Sequence, residues 1–81
     1  MVKLKLQKKK TKTYIQFIEN IIQDCFLNQK IRIGITHNKR QHEIEGTTIA
    51  LDKINHLLVI EKNDGINILP IKNITYIETI H

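Results

Sequence analysis

The sequence predicts an α+β domain, mainly β: an N-terminal helix followed by a five-stranded bent antiparallel sheet or small open barrel. Three observations carry this reading. Apolar residues recur at three- and four-residue steps from Ile15 to Phe26, the period of a helix. From Lys30 to Thr36 apolar and polar residues alternate strictly, the period of a strand. Finally, the alternation running from His42 loses step after Gly46, as expected where a strand bends or bulges.

Taken in order, residues 1–12 read as a basic flexible arm and residues 13–81 as a single domain, with the helix over about 13–28 and the strands over about 30–80. The arm carries Lys3, Lys5, Lys8, Lys9, Lys10 and Lys12 and no acid. Val2, Leu4 and Leu6 alternate with Lys3 and Lys5, so a short edge strand is compatible with it; a solvated terminus or an electrostatic tether for phosphates fits the lysine run.

The helix begins at Thr13, whose spacing to Gln16 fits a capping box. Ile15, Ile18, Ile22, Cys25 and Phe26 form its apolar stripe, widened by Phe17 and Ile21, while Glu19, Asn20, Gln23 and Asp24 fall largely between them. Cys25 reads as a buried packing residue. Asn28 can end the helix, because Asn tolerates the left-handed conformation.

The first predicted strand places Ile31, Ile33 and Ile35 on one face and Arg32, Gly34 and Thr36 on the other. A polar turn over Asn38 to Gln41 leads into the second, His42 to Leu51, with Gly46 allowing its bend. Asp52 to Asn55 is a turn in which the Asp and Asn side chains bond their own backbone. His56 to Glu61 has two apolar faces and should be central. Asp64-Gly65 signals a hairpin into Ile66 to Leu69. Pro70 ends that strand, since it lacks the ladder N–H. Ile74 to Ile80 is the fifth.

The totals narrow the function. The chain has 81 residues, so it holds one domain at most, and a core this small gains from self-association. Its charge is +5, but the first twelve residues hold six of the thirteen basic side chains. The remaining seven face eight acids, so the body is near neutral. The one cysteine allows no internal disulfide and, with no secretory signal, points to a reducing cytoplasmic setting. No apolar run approaches the roughly 20 residues that span a bilayer. No serine occurs, and no paired nucleophile and base stand out, so the expectation is a non-enzymatic protein. His37, His42, His56 and His81 are scattered without metal-ligand spacing, so neither a metal nor another cofactor is expected.

A helix preceding a five-strand meander with a glycine-bent second strand resembles the Sm-like fold. Gln23-Asp24-Cys25-Phe26-Leu27-Asn28 is similar to a stretch in the helix of Hfq-type Sm-like proteins. Gly46 to Asp52 resembles the glycine-to-aspartate core of the first Sm motif. Ile66, Pro70, Ile71 and Ile74 resemble the late strands of the YolD-like family. Where Hfq-type proteins carry a Tyr-Lys-His motif, this chain has Leu69-Pro70-Ile71, so of that family's RNA contacts only Gln23 carries over. The resemblance further implies ring contacts through the fourth and fifth strands.

Two functional expectations follow. In the first, a self-associating Sm-like protein binds nucleic acid through Lys8, Lys9, Lys10 and Lys12, helped by Gln23, Lys39 and Arg40. In the second, a protein-binding adaptor or inhibitor, or a ring that binds a small nucleotide, acts through exposed strand edges. The interface residues would be Ile66, Ile68, Ile74, Tyr76 and Ile80. Tyr76 is also the one aromatic the sequence offers for base stacking.

Overall fold

The computed structural model describes residues 2–80. Met1 and His81, the outer ends of the predicted arm and domain, lie outside the described residues. The chain runs through strand β1 (Lys3–Lys5), helix α1 (Lys12–Ile21), a π-helical turn (Ile22–Phe26), and strands β2 (Lys30–His37), β3 (Arg40–Asp52), β4 (Leu57–Lys62) and β5 (Gly65–Pro70). A 3₁₀ turn (Ile71–Asn73) then leads into β6 (Ile74–Thr79). All pairings are antiparallel, in one sheet ordered β1-β6-β2-β3-β4-β5.

The α+β, mainly β class is as expected, but among the described residues the strands number six, not five, and the helix is not the first element. The residues read as a flexible arm include β1. Lys3, Leu4 and Lys5 pair with Glu78, Ile77 and Tyr76. The reason is amphipathic alternation: Leu4 packs against the core while Lys3 and Lys5 face solvent.

Register explains the two faces of the sheet. Leu4, Ile77, Ile33 and Ile44 are aligned across four strands and face the core. One step along, Lys3, Glu78, Arg32 and Glu45 are aligned on the opposite face. Arg32 donates to Glu78 at 2.9 Å and to Glu45 at 3.0 Å, so alternating charge crosses the outer face. Ile18, Ile22 and Phe26 bury against the inner face, with Ile31, Ile33, Leu58, Ile60, Ile71, Ile74 and Ile77 beneath them.

The helix starts earlier and ends differently than its sequence suggests. Its N-cap is Thr11, whose Oγ1 accepts from the Tyr14 N–H at 3.1 Å, and not Thr13. The π turn closes when the Leu27 N–H donates to the Ile22 carbonyl at 3.0 Å. A π turn advances each residue by less than an α turn. Ile22 and Phe26 therefore stay on the buried stripe while Cys25 rotates out, and it is exposed, not packed in the core. Asn28 takes φ 63°, as expected of a left-handed terminator. Thr48 fixes this end to the sheet: its hydroxyl donates to the Phe26 carbonyl, and its own carbonyl accepts from the Asn28 N–H at 2.8 Å.

Glu19, expected on the polar side, is 2 % exposed and lies 3.1 Å from Nδ1 of His56. The helix tilts this carboxylate toward the β3–β4 turn, where His56 sits at φ 59°. That turn is tied as predicted. Asp52 accepts from the Ile54 and Asn55 N–H groups, each at 3.0 Å, and from the Asn55 side-chain amide. These Asn55 and Ile54 bonds hold the Asp52 carboxyl below its ordinary range.

The irregularity in β3 is displaced from Gly46. Thr48 pairs with Ile60 and Ala50 with Val59, so Ile49 is the extra residue. At Gly46 the requirement is close approach: a Cβ there would lie 2.6 Å from both the Glu61 carbonyl oxygen and the Ile60 side chain. The second irregularity is in β6, where Thr75 is extra between Tyr76, opposite Gly34, and Ile74, opposite Ile35.

Candidate nucleic-acid interface

The lysines of the N-terminal segment reach the body of the fold through a short crossing. The Leu6 N–H donates to the Thr75 carbonyl at 2.9 Å, which ends the pairing of the first strand with β6. The chain then crosses the end of the sheet to Thr11, carrying Lys8, Lys9 and Lys10. Here it meets the β2–β3 hairpin near its tip, where Thr36 pairs with Gln41, and the 3₁₀ turn that carries Lys72. A cleft of about 260 Å³ lies between them, lined by Lys8, Lys10, Thr36, Gln41, Lys72, Asn73 and Thr75.

The composition of this cleft is its main feature. It holds three ammonium groups, two hydroxyls and two carboxamides, and no acid. Among the described residues, no carboxylate lies within ion-pair distance of Lys8, Lys9, Lys10, Lys12, Lys39, Arg40 or Lys72. Lys3, Arg32 and Lys62, by contrast, are each paired with an acid. Burial lowers the Lys10 ammonium below its ordinary value, which is the response of a charge that lacks a partner. An anion seated here would supply one.

The hairpin beyond the cleft adds Lys39 and Arg40. Its two-residue turn, Asn38-Lys39, has φ 51° and 63°, the paired positive values of a type I′ turn. Glycine is the usual occupant of the second position, so a lysine there is held at a conformational cost.

A larger hollow of about 550 Å³ lies elsewhere, lined by Lys30, Glu45, Gly46, Thr47, Glu61, Lys62, Asn63 and Asp64. Its three carboxylates outnumber its two lysines, so it offers nothing to a phosphate.

The predicted residues therefore separate. Lys8 and Lys10 line the cleft, with Lys9 exposed between them; Lys39 and Arg40 stand on the hairpin that forms one wall. Lys12 is exposed at the start of α1. Gln23 is in the π turn, eleven residues on and so about 16 Å along the axis, and the fold does not bring it to the cleft. The cleft also contains residues the sequence reading missed: Lys72, Thr36, Gln41, Asn73 and Thr75.

The expected interface residues separate as well. Ile74 is fully buried in the core, because the bulge at Thr75 turns it inward, so it presents no surface. Tyr76 is engaged rather than offered. Its ring lies over Gly34, its hydroxyl donates to Glu43, and the Lys3 ammonium sits 4.9 Å from its ring centroid. Burial, and next the Glu43 carboxylate, push its phenol up to about 12. Ile80 is half-buried, its N–H donating to the Lys30 carbonyl at 3.0 Å. The last strand is not an edge at all, since β1 and β2 flank it. Ile66 and Ile68 are different: they lie 61 % and 60 % exposed on β5, which is an edge.

No family model, curated protein or solved structure matches this chain. No helix among the described residues is long and apolar enough to cross a membrane.

Proposed function

We propose that this protein is a small non-enzymatic nucleic-acid-binding domain of Sm-like type, acting through the cationic cleft and the hairpin beside it. One observation carries the reading: three lysines from sequence positions 8, 10 and 72 converge on a cleft whose lining includes no carboxylate. Convergence without compensation is what a polyanion requires, because each neutralised phosphate releases a condensed counterion. The hydroxyls and carboxamides in the walls suit phosphate and sugar oxygens. Phosphate and sugar contacts carry no sequence information directly, so binding through them should be weakly dependent on sequence. The helix followed by β2 to β6 supports the Sm-like reading.

The test is fluorescence anisotropy of a labelled oligonucleotide at moderate salt. Non-specific binding of this kind predicts a dissociation constant between about 1 and 100 μM. Absence of binding at several hundred micromolar, or binding that ignores added salt, would sink the proposal.

A second reading rests on β5. Its backbone edge is unpaired, and Ile66 and Ile68 stand exposed on it. Edge strands recruit further strands, so a second copy of the chain or another protein would dock there. Solution mass against concentration, for the wild type and Ile68→Lys, tests it. A monomer at all concentrations removes the self-association arm.

A further inference from the structure

The helix beside the lysine segment carries an aromatic side chain that the core does not use. Phe17 is 58 % exposed, whereas Phe26 is fully buried and both tyrosines are half-buried. Its neighbours on the exposed surface of α1 are polar: Thr13, Gln16 and Asn20. Phe17 is not isolated, however. Its ring lies 6.4 Å from that of Tyr14, inclined at 31°. The Tyr14 hydroxyl in turn accepts the Gln7 N–H at 3.0 Å, so this aromatic pair is anchored to the residue just before the lysine run.

We infer that the nucleic acid taken by this surface is single-stranded, with a base stacked on Phe17 while its backbone phosphates lie against Lys8, Lys10 and Lys72. The inference rests on the nucleic-acid reading above and specifies its substrate. Three features favour a single strand. An exposed ring joined through Tyr14 to the segment that carries the cations is the combination that binds splayed bases and their backbone together. A duplex keeps its base faces stacked and has none to offer Phe17. An element laid in a groove runs between two phosphate backbones and needs cations along its exposed side to meet them. The exposed side of α1 has no cation after Lys12, and Asp24 follows it in the π turn. The fixed Tyr14 hydroxyl also matters, since it limits how far the pair can move and so reduces the entropy lost on stacking.

The chain contains no tryptophan, which permits a direct assay. Phe17→Trp introduces a single indole at the proposed stacking position. Titration with a short oligothymidylate should quench its emission, and a blunt duplex of the same length should not. In parallel, Phe17→Leu keeps helix propensity and apolar bulk but removes the π face. It should weaken oligothymidylate binding by about 5-fold or more and leave the thermal midpoint unchanged. Unquenched emission with unaltered affinity in Phe17→Leu would overturn the stacking inference. If Lys10→Gln still weakened binding in that case, the broader reading would stand. If neither oligothymidylate nor duplex bound at all, both would fall.

Discussion

Replacing the three cleft lysines together, as Lys8→Gln, Lys10→Gln and Lys72→Gln, gives the sharpest test of where affinity resides. Each lysine is expected to neutralise one phosphate. For a single strand each such contact contributes about 0.7 to the slope of log affinity against log salt. Three lost contacts should therefore flatten the slope by about 2. At about 0.1 M salt that corresponds to a weakening of about 100-fold relative to the 1 M extrapolation. The comparison variant is Lys30→Gln, Lys53→Gln and Lys62→Gln, which lowers the net charge by the same three units, from +5 to +2. Lys30 and Lys62 line the acid-rich hollow, and Lys53 bonds Asn20, so none of them contributes to the cleft. The assay is anisotropy of a labelled oligothymidylate over a salt series, with thermal unfolding recorded for each variant. If both triple variants flatten the slope equally, charge acts globally and the cleft has no special role. If the cleft variant leaves the slope within about 0.7 of wild type, the lysines do not contact phosphate.

Other outcomes follow from single features. In a Tyr14→Phe background, absorbance titration of the remaining tyrosine should place Tyr76 at about 12, and a value near the ordinary one would contradict its burial and its bond to Glu43. Because the folded state keeps this proton longer than the unfolded chain, Tyr76 should make stability fall as pH rises from about 10 to 12. Gly34→Ala places a methyl against the Tyr76 ring and 2.7 Å from Thr75 Oγ1, so it should cost about 1–3 kcal/mol in chemical denaturation; a neutral result would show that the ring has room to move. Lys39→Gly relieves a positive φ at the hairpin tip and should raise stability by up to about 1 kcal/mol while reducing nucleic-acid affinity. Unchanged affinity in the stabilised variant would separate Lys39 from the binding surface.

Much of the fold can be read from local pattern, because burial on one side of a strand or helix imposes a period. Ile31 and Ile33 alternate with Arg32 and are buried; Ile18, Ile22 and Phe26 recur every four residues and are buried too. Asp52, Asn55 and Asn28 behave as their side chains dictate. The failures have a shared cause, which is that they depend on partners distant in sequence. Glu19 sits at a polar helical position but meets His56, thirty-seven residues later. Cys25 follows α-helical spacing, yet a π turn carries it outward. Lys72 looks like an ordinary turn residue until Lys8 and Lys10 arrive opposite it. Phe17 widens an apolar stripe on paper, whereas in three dimensions that stripe is already filled by Ile18, Ile22 and Phe26. Two of the seven residues lining the cleft, Lys8 and Lys10, are legible as part of a lysine run; the five contributed by β2, β3, the 3₁₀ turn and β6 require the sheet topology.

The pairing of β1 with β6 also imposes an order in time. Lys3 faces Glu78, a partner synthesised seventy-five residues later. The hairpins from β2 to β5 can close as soon as each emerges, since their partners are neighbours in sequence. The first strand has to wait with its lysines unplaced until the last one exists. The cleft is then completed at the end of folding, when a segment from the start of the chain meets a turn near its end. Affinity for a polyanion anchored by all three lysines would thus report that the chain has been made through β6 and folded, and a product stopped before residue 72 would carry the basic segment without the site it helps to build.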